Sequence, residues 1–204
     1  MKLIGMLDSP YVRRVAICLK LLKLDFEHRP VSVFSGFEEF RKLNPVVKAP
    51  TLILDNGQNL MDSTLILDYV TATSGSTVTS TPDHADDRLR ATRLTGLALA
   101  ACEKTVQIVY ERNQRPVEKQ HEPWIDRVSV QLLAAYAELE AEVASAALPL
   151  DAGRLGQASV TVAVAWRFTQ MMVPSIVVAA EYPKLQSFSA FAELQPAFES
   201  TPPE

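Results

Sequence analysis

The sequence predicts an α/β part followed by an all-α part, and three observations predict it. Up to about residue 73, short strand-like runs alternate with helix-like runs. A Thr-, Ser- and Gly-rich stretch, TSGSTVTSTPDH, then interrupts the pattern and reads as a linker. Beyond it the strand signals stop and only helical periods follow.

Each element has a local reason. KLIGM is a short apolar strand. From Pro10 to Leu22, Val12, Val15, Ile17, Leu19 and Leu22 give a wide apolar helical face. FEHRPVSV alternates like a strand, with Pro30 confining it to an edge or a bend. SGFEEFRKLNP is a short amphipathic helix stopped at Asn44-Pro45. In PTLILDNGQNLMDS two apolar runs flank Asp55-Asn56-Gly57, a hairpin signal. STLILDYVTATS is a helix ending at Ser74-Gly75. The order is βαβαββα, with a right-handed parallel crossover expected between the first two strands.

The second part reads as helices over 83–112 and 123–147, separated by the polar loop NQRPVEKQHEPW. A third, over 160–173, is apolar nearly all round and therefore buried. YPKLQSFSAFAEL is a last amphipathic helix, and ESTPPE reads as a fraying tail.

Composition narrows the function classes. The 204 residues are 48% hydrophobic and 22% charged, with a net charge of −4, which suits a globular chain large enough to bury a core. There is no basic face of the kind nucleic-acid binding requires. The densest basic group, Arg13, Arg14, Lys20 and Lys23, reads as a solvated helix face. No apolar run is long enough for a signal peptide or a membrane span, so a cytoplasmic protein without membrane or nucleic-acid partners is expected. Cys18 and Cys102 form no C-x-x-C pair and have no His at metal-ligand spacing. Both read as core residues, and no metal is expected.

Three stretches of the first part could carry chemistry. Ser9-Pro10 stands at a strand-to-helix turn, where Ser is a good N-cap and Pro a good first helical residue. A helix start also offers free N–H groups and positive potential. A thiolate would be stabilised there, and the Ser hydroxyl could add a hydrogen bond. Cap and substrate contact are both open at this point. Ala49-Pro50 precedes a strand, where a cis bond at a tight turn would present the Ala49 backbone to an extended peptide. An ordinary trans bond is equally compatible with the sequence. Asp62-Ser63 opens a helix right after a strand. Its N-terminus suits a carboxylate and Asp62 suits an ammonium, which together match an amino-acid head group.

In this order the motifs SPYVRRV, NPVVKAPTL and MDSTLILDYV resemble those of the cytosolic glutathione transferases, above all bacterial members with an N-terminal serine motif. The resemblance covers nearly the whole chain. It implies a thioredoxin-like glutathione-binding domain over 1–76, a linker over 77–84 and an all-helical domain over 85–204. In GQASVTVAVAWRF, Gly156 and Ser159 stand where the family has its capping box, a departure that weakens that cap.

The resemblance implies glutathione as co-substrate and assigns roles residue by residue. Ser9 would lie at the glutathione sulfur as the catalytic residue, where thiol-transferring branches carry Cys. Ala49, next to a cis Pro50, would pair its backbone with the cysteinyl part. Asp62 and Ser63 would hold the γ-glutamyl end, Lys48 would meet a carboxylate, and Phe34 and Ser35 would flank the site. A small hydrophobic electrophile would occupy an apolar cleft lined by Tyr11, Thr105, Ile108, Val109 and Arg112. Tyr11 is a rival to Ser9, since a tyrosine activates the thiol in some classes, but it falls inside the first helical turn. A homodimer is expected, with detoxifying transfer as the activity. A glutathione-binding protein with little activity and a glutathione-dependent isomerase are the alternatives.

Overall fold

A computed structural model describes residues 1–75, 84–149 and 155–203. Most of the linker expected over 77–84 lies outside the described residues. The chain forms two compact units, one of Met1–Ser80 with Leu194–Glu204 and one of Thr81–Glu193.

The first unit is built on four strands, β1 (Lys2–Ile4), β2 (Glu27–Arg29), β3 (Thr51–Ile53) and β4 (Asn59–Met61), in the order β2-β1-β3-β4. The expected crossover is present: β1 and β2 are parallel, with Leu3 opposite His28, and α1 (Pro10–Leu21) connects them. The expected hairpin is present too: β3 and β4 are antiparallel, with Leu52 opposite Leu60. Gly57 takes the positive φ of 83° that its turn demands. β1 and β3 close the sheet antiparallel, with Leu3 opposite Leu52. The edge strand β2 stops just before Pro30, which has no N–H for a ladder. α2 (Phe37–Leu43) buries Phe40 with Ile4 and Val31. α3 (Ser63–Ser74) ends on Gly75 in the left-handed region. This is the thioredoxin-like arrangement.

Two expectations about this unit are corrected. Arg13 and Arg14 are 2% and 1% exposed; only Lys20 and Lys23 of that basic group face solvent. α1 is apolar on nearly every side, so it is packed all round and two guanidiniums are enclosed with it. The segment ending in ESTPPE is not a frayed tail. It forms the short α8 (Pro196–Glu199), buries Phe198 and Thr201, packs on α1 and groups with the first unit rather than the helical one.

The second unit is helical. α4 (Ala85–Asn113), α5 (Glu122–Ser145), α6 (Gln157–Met172) and α7 (Pro183–Glu193) follow in order. α4 packs on α5 and α6, and α7 on α5 and α6. α6 is buried nearly all round, as its sequence predicts. Its N-cap Gly156 makes no side-chain cap hydrogen bond, in keeping with the missing capping box. The start of α7 is capped from another helix: Glu140 accepts from the Lys184 and Leu185 N–H groups at 2.8 and 2.9 Å. Tyr136, Trp166 and Tyr182 meet edge to face, with centroids 5.5–5.9 Å apart. Among the described residues, no helix is long and apolar enough to cross a membrane.

Candidate functional site

Ser9 is the N-cap of α1, with φ −70° and ψ 121°, and its side chain makes no cap hydrogen bond. Its carbonyl accepts from the Arg13 N–H at 2.9 Å, closing the first turn. Pro10 follows at the first helical position and is buried. The hydroxyl therefore stands at a positive helix end without being spent on the helix's own N–H groups.

Ala49 sits at the end of a loop organised by Asn44, which is 4% exposed. Asn44 Oδ1 accepts from the Val46 N–H at 3.0 Å, and its Nδ2 donates to Thr51 Oγ1 at 2.8 Å. Thr51 Oγ1 in turn donates to the Lys48 carbonyl at 2.7 Å, fixing the backbone just before Ala49. The Ala49–Pro50 peptide is cis. Val47 holds φ 51°, a left-handed conformation that a β-branched residue adopts only under constraint.

Asp62 is the N-cap of α3 at φ 70°. Its Oδ1 accepts from the Thr64 and Leu65 N–H groups at 2.9 and 3.5 Å. Here, unlike Ser9, the side chain does cap its helix. Ser63 is 4% exposed, and its hydroxyl accepts from Arg14 Nη1 at 3.0 Å.

Contacts join the three stretches into one place. A Cβ on Gly5, at the end of β1, would lie 2.6 Å from Val12 Cγ2 and 3.1 Å from Ala49 Cβ. The start of α1 and the Ala49 loop therefore meet over a position that only glycine fits. Arg14 ties α1 to Ser63 and, at 3.1 Å, to Thr64 Oγ1. Lys48 Nζ lies 3.8 Å from Asp62 Oδ2, with both side chains about half exposed. Phe34 is 51% exposed on the loop after β2, where Ser32 Oγ accepts from the Phe34 and Ser35 N–H groups. Tyr11 is half-buried in the first turn of α1.

The residues expected to line an electrophile pocket from α4 fare differently. Thr105 is fully buried, its hydroxyl 2.8 Å from that of Thr169 on α6. Ile108 is 1% exposed. With Ala98, Ala101 and Cys102 they form one helical stripe, and they serve as core of the second unit. Val109 is half-buried and Arg112 exposed, so of the α4 set only these two reach a surface.

Sequence reasoning missed Arg14, Asn44 and Thr51. An Asn before Pro signals a side-chain turn as well as a helix stop, and that signal was available. Arg14 carried none, because its partners lie 49 and 50 residues away. The two cysteines are buried as expected. Burial pushes the Cys18 thiol up to about 12, against the pull of the Arg14 charge. It is a protonated core group and no nucleophile. No cluster of metal-ligating residues occurs among the described residues.

Comparisons with known proteins bear on the family and the fold. A family model described as the glutathione S-transferase N-terminal domain matches residues 3–77. Glutathione S-transferase U16 of Arabidopsis thaliana is 34% identical over 89 residues, 43% of this chain and 38% of that protein. The chain thus spans well under half the length of this curated relative. A glutathione transferase family member from Pseudomonas fluorescens Pf-5, solved with bound S-(propanoic acid)-glutathione, is 30% identical over 100% of both chains, with a TM-score of 0.80. A glutathione S-transferase from Methylobacterium radiotolerans, in complex with glutathione sulfonate, is 24% identical over 99% of this chain and 94% of that one, with a TM-score of 0.89; it supports the fold. With the N-terminal family match and end-to-end likeness converging on a chain whose three motifs meet in space, the protein belongs to the glutathione S-transferase family.

Proposed function

We propose that the protein is a glutathione transferase in which Ser9 stabilises the glutathione thiolate. The observation that carries this reading is the contrast between two helix starts. Asp62 spends its carboxylate on the first turn of α3, whereas the Ser9 hydroxyl makes no cap bond to α1. A thiolate at the α1 N-terminus would gain the hydroxyl's hydrogen bond and the helix's positive end, and its pKa would fall toward neutrality. The thiol proton leaves to solvent, the thiolate attacks an electrophilic carbon, a carbon–sulfur bond forms and the leaving group departs with its electron pair. The protein supplies positioning and electrostatic stabilisation.

The rest of glutathione follows from the same surface. The backbone of Ala49 pairs with the cysteinyl part. Asp62 Oδ2 takes the γ-glutamyl ammonium, while the start of α3 and the Ser63 hydroxyl take its carboxylate. Lys48 meets a glutathione carboxylate and Phe34 flanks the peptide. The electrophile is a small hydrophobic compound, met on the first unit by Tyr11, which retains part of its exposure in the first turn of α1. The pairing of two chains is supported by exposed Met61, Leu65 and Tyr69, four residues apart on β4 and α3; sedimentation at micromolar concentration tests it.

A glutathione-affinity column, followed by an assay with a generic aromatic halide, tests the whole reading. Retention with turnover is expected. Retention without turnover identifies a binding protein. Conversion of an isomerisable substrate without net glutathione loss identifies an isomerase. Failure to be retained removes the glutathione reading altogether.

A further inference from the structure

Arg13 is 2% exposed, and two groups that accommodate its charge are remote in sequence. Its Nε donates to the Thr201 carbonyl at 2.8 Å, and its guanidinium lies 5.6 Å from the centroid of the Phe198 ring. Phe198 and Thr201 are themselves 1% and 2% exposed. They belong to the strap that follows α7 and groups with the first unit. The strap is braced within itself: the Thr201 N–H donates to the Phe198 carbonyl at 3.0 Å, and Thr201 Oγ1 to the Ala197 carbonyl at 2.9 Å. It offers Arg13 a shaped acceptor.

The same residue closes the first turn of α1, because its N–H donates to the Ser9 carbonyl. Arg13 therefore grips the strap with its side chain and Ser9 with its backbone. A guanidinium cannot shed its charge, and a buried charge that loses its acceptor is strongly unfavourable. If the strap detaches, Arg13 loses the Thr201 carbonyl and the Phe198 ring, and the turn that sets Ser9 loosens with them.

We propose that Arg13 is a positioning residue through which the strap at Phe198–Thr201 locks the first turn of α1 and fixes Ser9 against the glutathione sulfur. The inference rests on the glutathione reading above. It makes the strap part of the site's machinery, although the family's N-terminal match ends at residue 77.

Two readouts test it on Phe198→Ala, Arg13→Gln, Arg13→Lys and a chain ending at Gln195. The first needs no ligand: amide exchange at Arg13 is expected to quicken by about tenfold or more, with the β1 and β3 amides unchanged. The second follows the ultraviolet absorbance of bound glutathione thiolate against pH. Its apparent pKa is expected to rise by about one unit in Phe198→Ala and Arg13→Gln. The turnover number should fall about tenfold while KM moves less than about threefold, and Arg13→Lys should recover part of the loss. Unchanged exchange at Arg13 and an unchanged thiol pKa in Phe198→Ala and Arg13→Gln overturn the proposal. So does a loss of protection spread evenly over the whole sheet, which marks a strap that only stabilises. If the unaltered protein binds no glutathione, the transferase reading fails, and with it the role given to Ser9; the exchange readout still decides whether the strap locks the turn.

Discussion

The two units bury different things. The first encloses two guanidiniums, Arg13 and Arg14, and contains Lys23, Val47 and Asp62, the described non-glycine residues with positive φ. The second encloses a neutral polar chain, in which Tyr136 donates toward Thr169 Oγ1 at 2.7 Å and the Ala165 carbonyl at 2.9 Å, and Thr169 meets Thr105. It also buries a carboxylate side chain, Glu111 at 7% exposed, but that group reaches the exposed Arg115 at 2.9 Å, and Arg93 pairs with Glu138 and Glu142 on the surface. Buried charge and strained backbone are tolerated only where surrounding contacts over-determine them, and such features gather at functional sites. The helical unit follows the ordinary rules of a packed core. The first unit departs from them, and Arg14, Val47 and Asp62 do so at the places where the three motifs meet.

The largest effect expected from a single substitution therefore belongs to the unit without the motifs. Tyr136→Ala removes a fully buried ring and both of its hydrogen bonds, and should cost about 3–5 kcal/mol. Both tryptophans, Trp124 and Trp166, are in the helical unit, so tryptophan fluorescence during urea unfolding reads the loss directly. A shift below about 1 kcal/mol would show that this core is not the well-packed one the comparison requires.

Ser9→Ala comes next and should do the opposite. Because the hydroxyl makes no cap bond, stability should change by less than about 0.5 kcal/mol, rather than the ~1 kcal/mol of a lost cap. Turnover should fall about a hundredfold, as when one donor to a developing or bound anion is removed. The bound thiol's pKa, read by ultraviolet absorbance, should rise. Full activity with a lowered melting temperature would return Ser9 to a structural role and erase the contrast between the two helix starts.

What the sequence revealed follows the range of the interactions involved. The β3–β4 hairpin was legible because Asp55-Asn56-Gly57 carries its own turn chemistry. The helices were legible because burying one face leaves a period. Ser9, Ala49-Pro50 and Asp62-Ser63 were legible because helix starts and strand entries restrict residue type. The burial of Arg13 was not, because its acceptor lies 188 residues away, and a charged pair inside a short helix normally means solvent. Thr105 and Ile108, which pack in the core of the helical unit, show a related limit: an apolar helical stripe looks the same whether a ligand or another helix covers it.

Alkaline pH offers a smaller probe of the first unit. Burial raises the Cys18 thiol from 9.0 to about 12. Below pH 9 both folded and unfolded chains keep this proton, so Cys18 adds no pH dependence. Above pH 9 the unfolded chain releases it and the folded chain does not, so stability falls as pH rises, and the fall continues until the folded thiol ionises. The slope approaches about 1.4 kcal/mol per pH unit, giving a loss of about 1.4 kcal/mol at pH 10 relative to neutral pH. Burial also raises Tyr136, which acts in the same direction in the second unit but only above the ordinary tyrosine range. Urea unfolding of Cys18→Ala between pH 8.5 and 10, followed by circular dichroism, should remove the earlier part of the slope. An unaltered slope would mean that Cys18 is less enclosed than its packing indicates.

Lys48 should also change stability little, and there the contrast within the first unit is sharpest. Its ammonium lies 3.8 Å from Asp62 Oδ2, with both groups about half exposed, a pair that contributes about 0–1 kcal/mol at most. Lys48→Ala should therefore leave the melting temperature within about 2 °C. The Lys48 backbone is held independently of its side chain, since its carbonyl accepts from Thr51, so the Ala49 loop should keep its shape. Glutathione affinity should still fall about three- to tenfold, because a cation facing a ligand carboxylate gives more than the same cation facing a solvated Asp62. Calorimetric titration at two salt concentrations separates the cases. If the lost affinity belongs to a charge contact, the gap between wild type and variant narrows as salt rises. A gap indifferent to salt would mean that the substitution disturbed the loop, and Lys48 would then belong with Asn44 and Thr51, among the residues that shape the site without touching what it binds.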